Sequence, residues 1–178
     1  QKAGGPAAFG YRWVDSDQPG GPTFQWTDIS TTGSDIGLVG ADATSQPIPL
    51  GFDFQFYGKF FNTIRVCTNG WLSFTSSSTV PYFKPLPSSG APENLIAPFW
   101  SNLDLTSAGH VYFQSFGDRA IIQWQDVPLR NGPGSFTFQA ILEARGAITF
   151  QYLNMTGEVL LATVGIQNGD HSTGITYN

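Results

Sequence analysis

A chain of 178 residues, 40% hydrophobic and 15% aromatic, is long enough to bury a continuous core without metal or disulfide staples, and too rich in rings to be disordered. Its eight Lys and Arg are scattered singly against thirteen Asp and Glu, and the net charge of −5 argues against nucleic acid and anionic membrane surfaces as partners. No apolar run approaches the roughly 20 residues that cross a bilayer, and the single Cys67 excludes an internal disulfide and a cysteine metal cluster.

The chain opens Gln1-Lys2-Ala3-Gly4-Gly5-Pro6 with no initiator Met, which reads as a trimmed or processed product with no secretory signal left to see. Residues 1–30 read as an irregular arm packed on the domain. Gly4-Gly5-Pro6 and Gln18-Pro19-Gly20-Gly21-Pro22 flank Tyr11-Arg12-Trp13-Val14, and a second short strand is expected at Phe24 to Ile29. Residues 31–178 read as a sandwich, the whole forming one domain over 1–178. The clearest hairpin is Ile64 to Thr68, then Asn69-Gly70, then Trp71 to Phe74, with positive φ expected at both turn residues. Residues 75–92 show no periodicity and form the longest expected loop. Strands are expected at His110 to Ser115 and at Ala120 to Val127, the latter stopped by Pro128.

A second hairpin runs Ser135 to Glu143, turns through Ala144-Arg145-Gly146, and returns from Ala147 to Leu153. Phe136, Phe138, Ala140 and Leu142 share one face by period two, as do Ile148, Phe150 and Tyr152 on the returning strand. The last strands are expected at Leu161 to Gln167 and near Ile175. Breaks every 8–12 residues, and no helical period, give an all-β chain: a two-sheet, mainly antiparallel, jelly-roll-like β-sandwich of about a dozen strands.

Several phrases carry a family resemblance. Pro49-Leu50-Gly51-Phe52-Asp53-Phe54-Gln55-Phe56-Tyr57-Gly58 resembles the opening of the nidogen-type (NIDO-type) extracellular domain. Val66-Cys67-Thr68-Asn69-Gly70-Trp71-Leu72-Ser73-Phe74 and Leu95-Ile96-Ala97-Pro98-Phe99-Trp100-Ser101-Asn102-Leu103-Asp104 resemble later segments of it. Ile122 to Val127 and Phe136 to Gln139 follow in the family's order. The N-terminal Phe9-Gly10-Tyr11-Arg12-Trp13-Val14-Asp15-Ser16-Asp17 is similar instead to β-rich accessory modules of secreted bacterial peptidases and surface proteins, which Ala162 to Asn168 also suits. The resemblance implies a secreted or cell-surface β-domain for attachment or binding, and it transfers no catalytic residue. Nidogen-type domains sit beside cysteine-rich modules, which this chain lacks. The expectation is therefore a bacterial accessory domain rather than an animal matrix protein.

The residues bear on chemistry as follows. His110 and His171 lack a Gly-x-Ser-x-Gly elbow to serve, and Glu93, Glu143, Glu158, Asp104 and Asp126 show no spacing that marks an acid pair. No enzyme and no obligatory cofactor is expected. Calcium has two candidate sites, Asp15 with Asp17 and Asn102 with Asp104, since carboxylates at alternate loop positions suit it. The same spacing also suits turns in which Asp bonds its own backbone. Candidate ligand-binding aromatics are Trp13, Trp26, Tyr82, Phe83 and Trp100, whose faces could take a sugar's C–H surface; Trp71 and Trp124 read as core. Gln123, Gln139 and Gln151 could align as an amide ladder on one sheet face, either as a satisfied polar network or as a recognition surface. Asn154-Met155-Thr156 matches a glycosylation acceptor, relevant only in a eukaryote.

The expected function is non-catalytic binding or attachment. The expected partner is a glycan or protein at a surface, or a neighbouring domain of the parent protein. The rivals are a ligand-free accessory or stability domain of a secreted peptidase, a glycoside hydrolase or lyase with an unrecognised acid pair, and self-assembly through sheet edges.

Overall fold

The computed structural model describes residues 3–177; Gln1, Lys2 and Asn178 lie outside the described residues, and with them the reading of Gln1 as a processed start. The strands in chain order are β1 (Ala3–Gly4), β2 (Trp13–Val14), β3 (Ser34–Asp35), β4 (Ile48–Phe56), β5 (Lys59–Cys67), β6 (Trp71–Ser73) and β7 (Leu95–Trp100). They continue with β8 (His110–Ser115), β9 (Arg119–Val127), β10 (Gly134–Glu143), β11 (Ile148–Gly157), β12 (Thr163–Gln167) and β13 (Gly174–Thr176). One 3-10 turn, Ala8–Gly10, separates β1 from β2.

A five-stranded sheet in the order β11-β10-β9-β8-β3 packs on a six-stranded sheet in the order β13-β12-β7-β6-β5-β4, and β1–β2 form a separate ribbon. Every pairing is antiparallel, so the chain adopts the expected all-β sandwich.

Period-two alternation builds the core. Phe136, Phe138, Ala140 and Leu142 of β10 meet Val66, Leu72, Ile96 and Phe99 of the other sheet, all buried. Trp124 stacks on Phe138 at 4.9 Å and donates its indole N–H to Cys67 O at 3.1 Å, tying the sheets together. Burial also pushes the Cys67 thiol up to about 11, so it is inert packing rather than a nucleophile.

Three local expectations change. Cys67 pairs with Trp71, so the β5–β6 turn holds three residues, and only Gly70 has positive φ (+79°). This matches the pattern in which a type I turn is followed by a left-handed glycine. A Cβ at Gly70 would lie 1.9 Å from Phe99 O, so the position admits no side chain. Strand β12 begins at Thr163, two residues later than expected. Phe24 to Ile29 is no strand: it is extended but takes no place in a ladder, because its main-chain partners are side chains.

That last point explains why β7, β9 and β10 are buried on both faces. The outer face of the six-stranded sheet presents Cys67, Trp71, Leu95, Ala97 and Trp100, and the loop after β6 covers it with Val80, Leu86 and Ala91. On the outer face of the five-stranded sheet, Ile29 of the arm packs on Ile121 and Ile141. The arm is further fastened where Trp13 meets Tyr177 edge-on at 4.8 Å, and where the Tyr11 ring lies 4.6 Å from that of Tyr57.

Candidate binding site

The loop between β6 and β7 is pinned at both flanks of its exposed aromatic pair. The indole N–H groups of Trp71 and Trp100 both donate to Val80 O, at 3.3 and 3.0 Å. The Thr163 hydroxyl donates to Lys84 O at 2.7 Å on the other side. Further back, the buried Asn69 amide donates to Thr79 O (3.1 Å) and Asp42 (2.9 Å), while its oxygen accepts from Leu103 N–H (3.1 Å). Between these anchors Tyr82 is 71% exposed and Phe83 38%. A rigid base carrying an exposed pair of rings is what a recognition surface requires, because little ordering entropy remains to be lost on binding.

A second apolar tip lies beside it. The loop from β11 to β12 exposes Val159, Leu160 (84%) and Leu161 (56%) in succession. Ser101, next to the end of β7, donates its hydroxyl to Leu161 O at 2.8 Å. Both loops are thus tied to the same end of β7, one through Trp100 and the other through Ser101. Sequence reading missed Val159-Leu160-Leu161 by starting a strand at Leu161. The available signal was three consecutive apolar residues after Gly157-Glu158, which no period-two strand face accommodates.

The other expected ligand residues are dispersed. Trp100 is fully buried, and its ring packs among Cys67, Trp71, Leu95 and Ala97 under the loop. It therefore offers no face to a sugar and acts as a loop anchor, which corrects its place among the ligand residues. Trp13 is half-buried against Tyr177 on the arm ribbon, and Trp26 is half-buried and stacked 6.2 Å from Phe24. Among the described residues no ring contact joins Trp13 or Trp26 to Tyr82 or Phe83.

Asp15 and Asp17 form an Asx turn: Asp15 accepts from Asp17 N–H and the Ser16 hydroxyl at 3.2 Å each, and its other oxygen accepts from the Tyr177 hydroxyl. Asp104 accepts from Thr106 N–H (2.8 Å) and the Thr106 hydroxyl, which hold its carboxyl below the ordinary range. Asn102 Oδ1 is buried with no partner among the described residues. No group of three or more His, Cys, Asp or Glu among the described residues is placed to hold a metal ion.

The titratable groups have local duties. His110 pairs with Asp35 at 2.8 Å on the exposed rim of a shallow open depression that Val39, Leu105 and Thr106 also line. His171 Nε2 donates to Ala91 O at 3.1 Å. Glu143 pairs with Arg145, Glu158 caps Leu160 N–H at 2.8 Å, and Glu93 accepts from Thr75.

The glutamines do align. Gln139 faces Gln123 across β9–β10 and Gln151 across β10–β11. Gln139 Nε2 donates to Gln123 Oε1 at 2.7 Å, and Gln151 Nε2 to Gln139 Oε1 at 3.3 Å. Their remaining capacity goes to the arm, so the ladder is a satisfied network.

A family model described as NIDO related matches residues 21–178. Alpha-tectorin of Mus musculus is 27% identical over 164 residues, covering 75% of this chain and 7% of that protein, and alpha-tectorin of Homo sapiens matches with the same figures. Dendrite extension defective protein 1 of Caenorhabditis elegans is 33% identical over 87 residues, covering 49% of this chain and 7% of that protein. The chain thus spans about 7% of the length of these relatives. They lend no support to the expected likeness to bacterial peptidase modules. No solved structure matches the chain significantly.

Proposed function

The chain belongs to the NIDO-related family and is extracellular, and from that premise we propose that it is a non-catalytic attachment module binding a protein partner through the Tyr82–Phe83 platform and the neighbouring Val159–Leu161 tip. The observation that carries this reading is the pairing of an anchored, exposed aromatic pair with an 84% exposed leucine tied to the same strand end. Isolated surface apolar residues are ordinary, but side-by-side apolar tips on rigid loops are characteristic of interaction sites. A sugar site would set amides and carboxylates around its rings to fix hydroxyls. Here the neighbours are aliphatic, which favours a protein surface or an adjoining domain over a glycan. The absence of a base–nucleophile pair around His110 and His171, whose partners are Asp35 and Ala91 O, supports the non-catalytic part.

The test is retention of the labelled module on cell-deposited extracellular matrix, compared with a Tyr82→Ser/Leu160→Asp variant and a glycan array. At least tenfold weaker retention of the variant, insensitive to glycosidase treatment, is expected. Equal retention of both proteins, or strong array binding that the variant loses, would overturn the protein-partner reading. Calcium at Asp15–Asp17 or Asn102–Asp104 is tested separately by melting in calcium and in chelator. A higher midpoint in calcium supports the site and equal midpoints remove it.

A further inference from the structure

The arm crosses the outer face of the five-stranded sheet as an extended strap over the three glutamines. Gln25 N–H donates to Gln151 Oε1 (2.8 Å) and Gln151 Nε2 to Gln25 O (2.9 Å), a side-chain copy of a two-bond strand bridge. Gln139 Nε2 donates to Thr27 O at 2.7 Å. Ile29 N–H donates to Gln123 Oε1 at 3.1 Å, and Gln123 Nε2 to the Asp28 carboxylate at 3.0 Å. Residues 25, 27 and 29 face the ladder, the alternation of an extended chain. Four residues span roughly 13 Å while two strand spacings span about 10 Å, so the strap runs obliquely across β11, β10 and β9.

Two features separate this site from ordinary loop packing. First, recognition is of the main chain, apart from Asp28 and the buried Ile29. Ile29 is the only residue from 3 to 30 that is buried, so the strap leaves little apolar surface behind when it lifts. Second, the ladder cannot stand empty cheaply. Gln123 and Gln139 are fully buried and Gln151 nearly so, and each buried amide without a partner costs on the order of 1–3 kcal/mol. Occupancy is therefore required, while the source of the occupant is not fixed by the contacts. The connection upstream, Gln18-Pro19-Gly20-Gly21-Pro22, makes only local turns.

We propose that the glutamine ladder is a main-chain peptide site and that its occupant in an assembly is residues 25–29 of a second copy of this chain, exchanged strap for strap. The occupant is argued from the one seated there: an identical segment reproduces every hydrogen bond, the Asp28 contact and the Ile29 pocket. Within one copy the strap's effective concentration is high, in the millimolar range for a short connection. Exchange is thus confined to surfaces where copies are crowded, and each exchange links two modules without a new interface chemistry.

The test mixes two variants. Gln25→Pro/Ile29→Ala carries a strap that cannot bind and an unfilled ladder; Gln139→Leu/Gln151→Leu carries a free strap and no ladder. A 1:1 complex in sedimentation, from partners that are monomeric alone, is expected. A fluorescent peptide of residues 21–31 should bind the first variant and bind the second at least tenfold more weakly. Folded variants that stay monomeric when mixed, with no peptide binding, overturn the proposal. Should either variant fail to fold, the unaltered protein decides. Donor- and acceptor-labelled batches, concentrated together, should develop energy transfer that excess peptide 21–31 suppresses; no transfer overturns the proposal.

Discussion

The two outer faces of the sandwich solve one problem in opposite ways. Both belong to sheets whose middle strands would otherwise expose a side to water, and both are covered by segments with no regular structure. The six-stranded sheet is covered by apolar contact, with Trp71 and Trp100 reaching up to one carbonyl, Val80 O. The five-stranded sheet is covered through amides, with Gln123, Gln139 and Gln151 reading the backbone of residues 25–29. An apolar cover is held by area and is insensitive to small shifts. An amide cover is held by geometry, and each missing partner leaves a buried group unsatisfied. The first suits a stiff platform for Tyr82 and Phe83, the second a segment able to leave and return.

The contrast breaks most severely at Trp100. Trp100→Ala removes a fully buried ring and one of the two donors to Val80 O, for a loss of about 3–5 kcal/mol. At roughly 2–4 °C per kcal/mol for a domain of this size, the melting midpoint should fall by about 6–20 °C. Limited proteolysis should then cut within residues 75–92 first while the strap stays protected.

Gln139→Leu attacks the other cover at near-constant volume. Gln123 Oε1 keeps Ile29 N–H and Gln151 Nε2 keeps Gln25 O, so only Thr27 O loses its partner outright. The expected loss is about 1–3 kcal/mol. Calorimetry should show the smaller midpoint shift, with cleavage moved from the loop to residues 20–30.

The smallest effect is acid-dependent. Donation from the Gln123 amide, then from Ser30 N–H, holds the Asp28 carboxyl below the ordinary Asp range. A depressed carboxyl contributes stability above its unfolded pKa of about 3.9 and loses that contribution as pH falls through the folded value. Strap protection should therefore be flat from pH 7 to 5 and decline only below about pH 4. Asp28→Asn should flatten that decline, and an unchanged acid profile in the variant would remove Asp28 from the contact.

The sequence was informative where period two and turn chemistry act locally. The inward rows of β10 and β11, the extent of β8 and the in-register glutamines were legible because each depends on neighbours along one strand. What escaped was the identity of the covers. Outward residues of a strand usually meet solvent, so Trp100 read as an exposed ring until the loop over it was seen. The strap read as a strand because its extended, β-rich Phe24 to Ile29 carries that pattern. Nothing local says that its partners are glutamine side chains. The same limit hid the Val159–Leu161 tip, since a run of apolar residues announces a strand unless the preceding one is known to end at Gly157.

The central claim, that a segment without regular structure is held on the sheet by glutamine side chains, is tested most directly by residue-resolved amide hydrogen exchange over residues 23–30. Gln25 and Ile29 donate to the ladder and should exchange as slowly as amides of the five-stranded sheet, whereas Trp26 and Asp28 should exchange orders of magnitude faster. Uniform exchange of all four at the rate of an unstructured peptide would contradict the account.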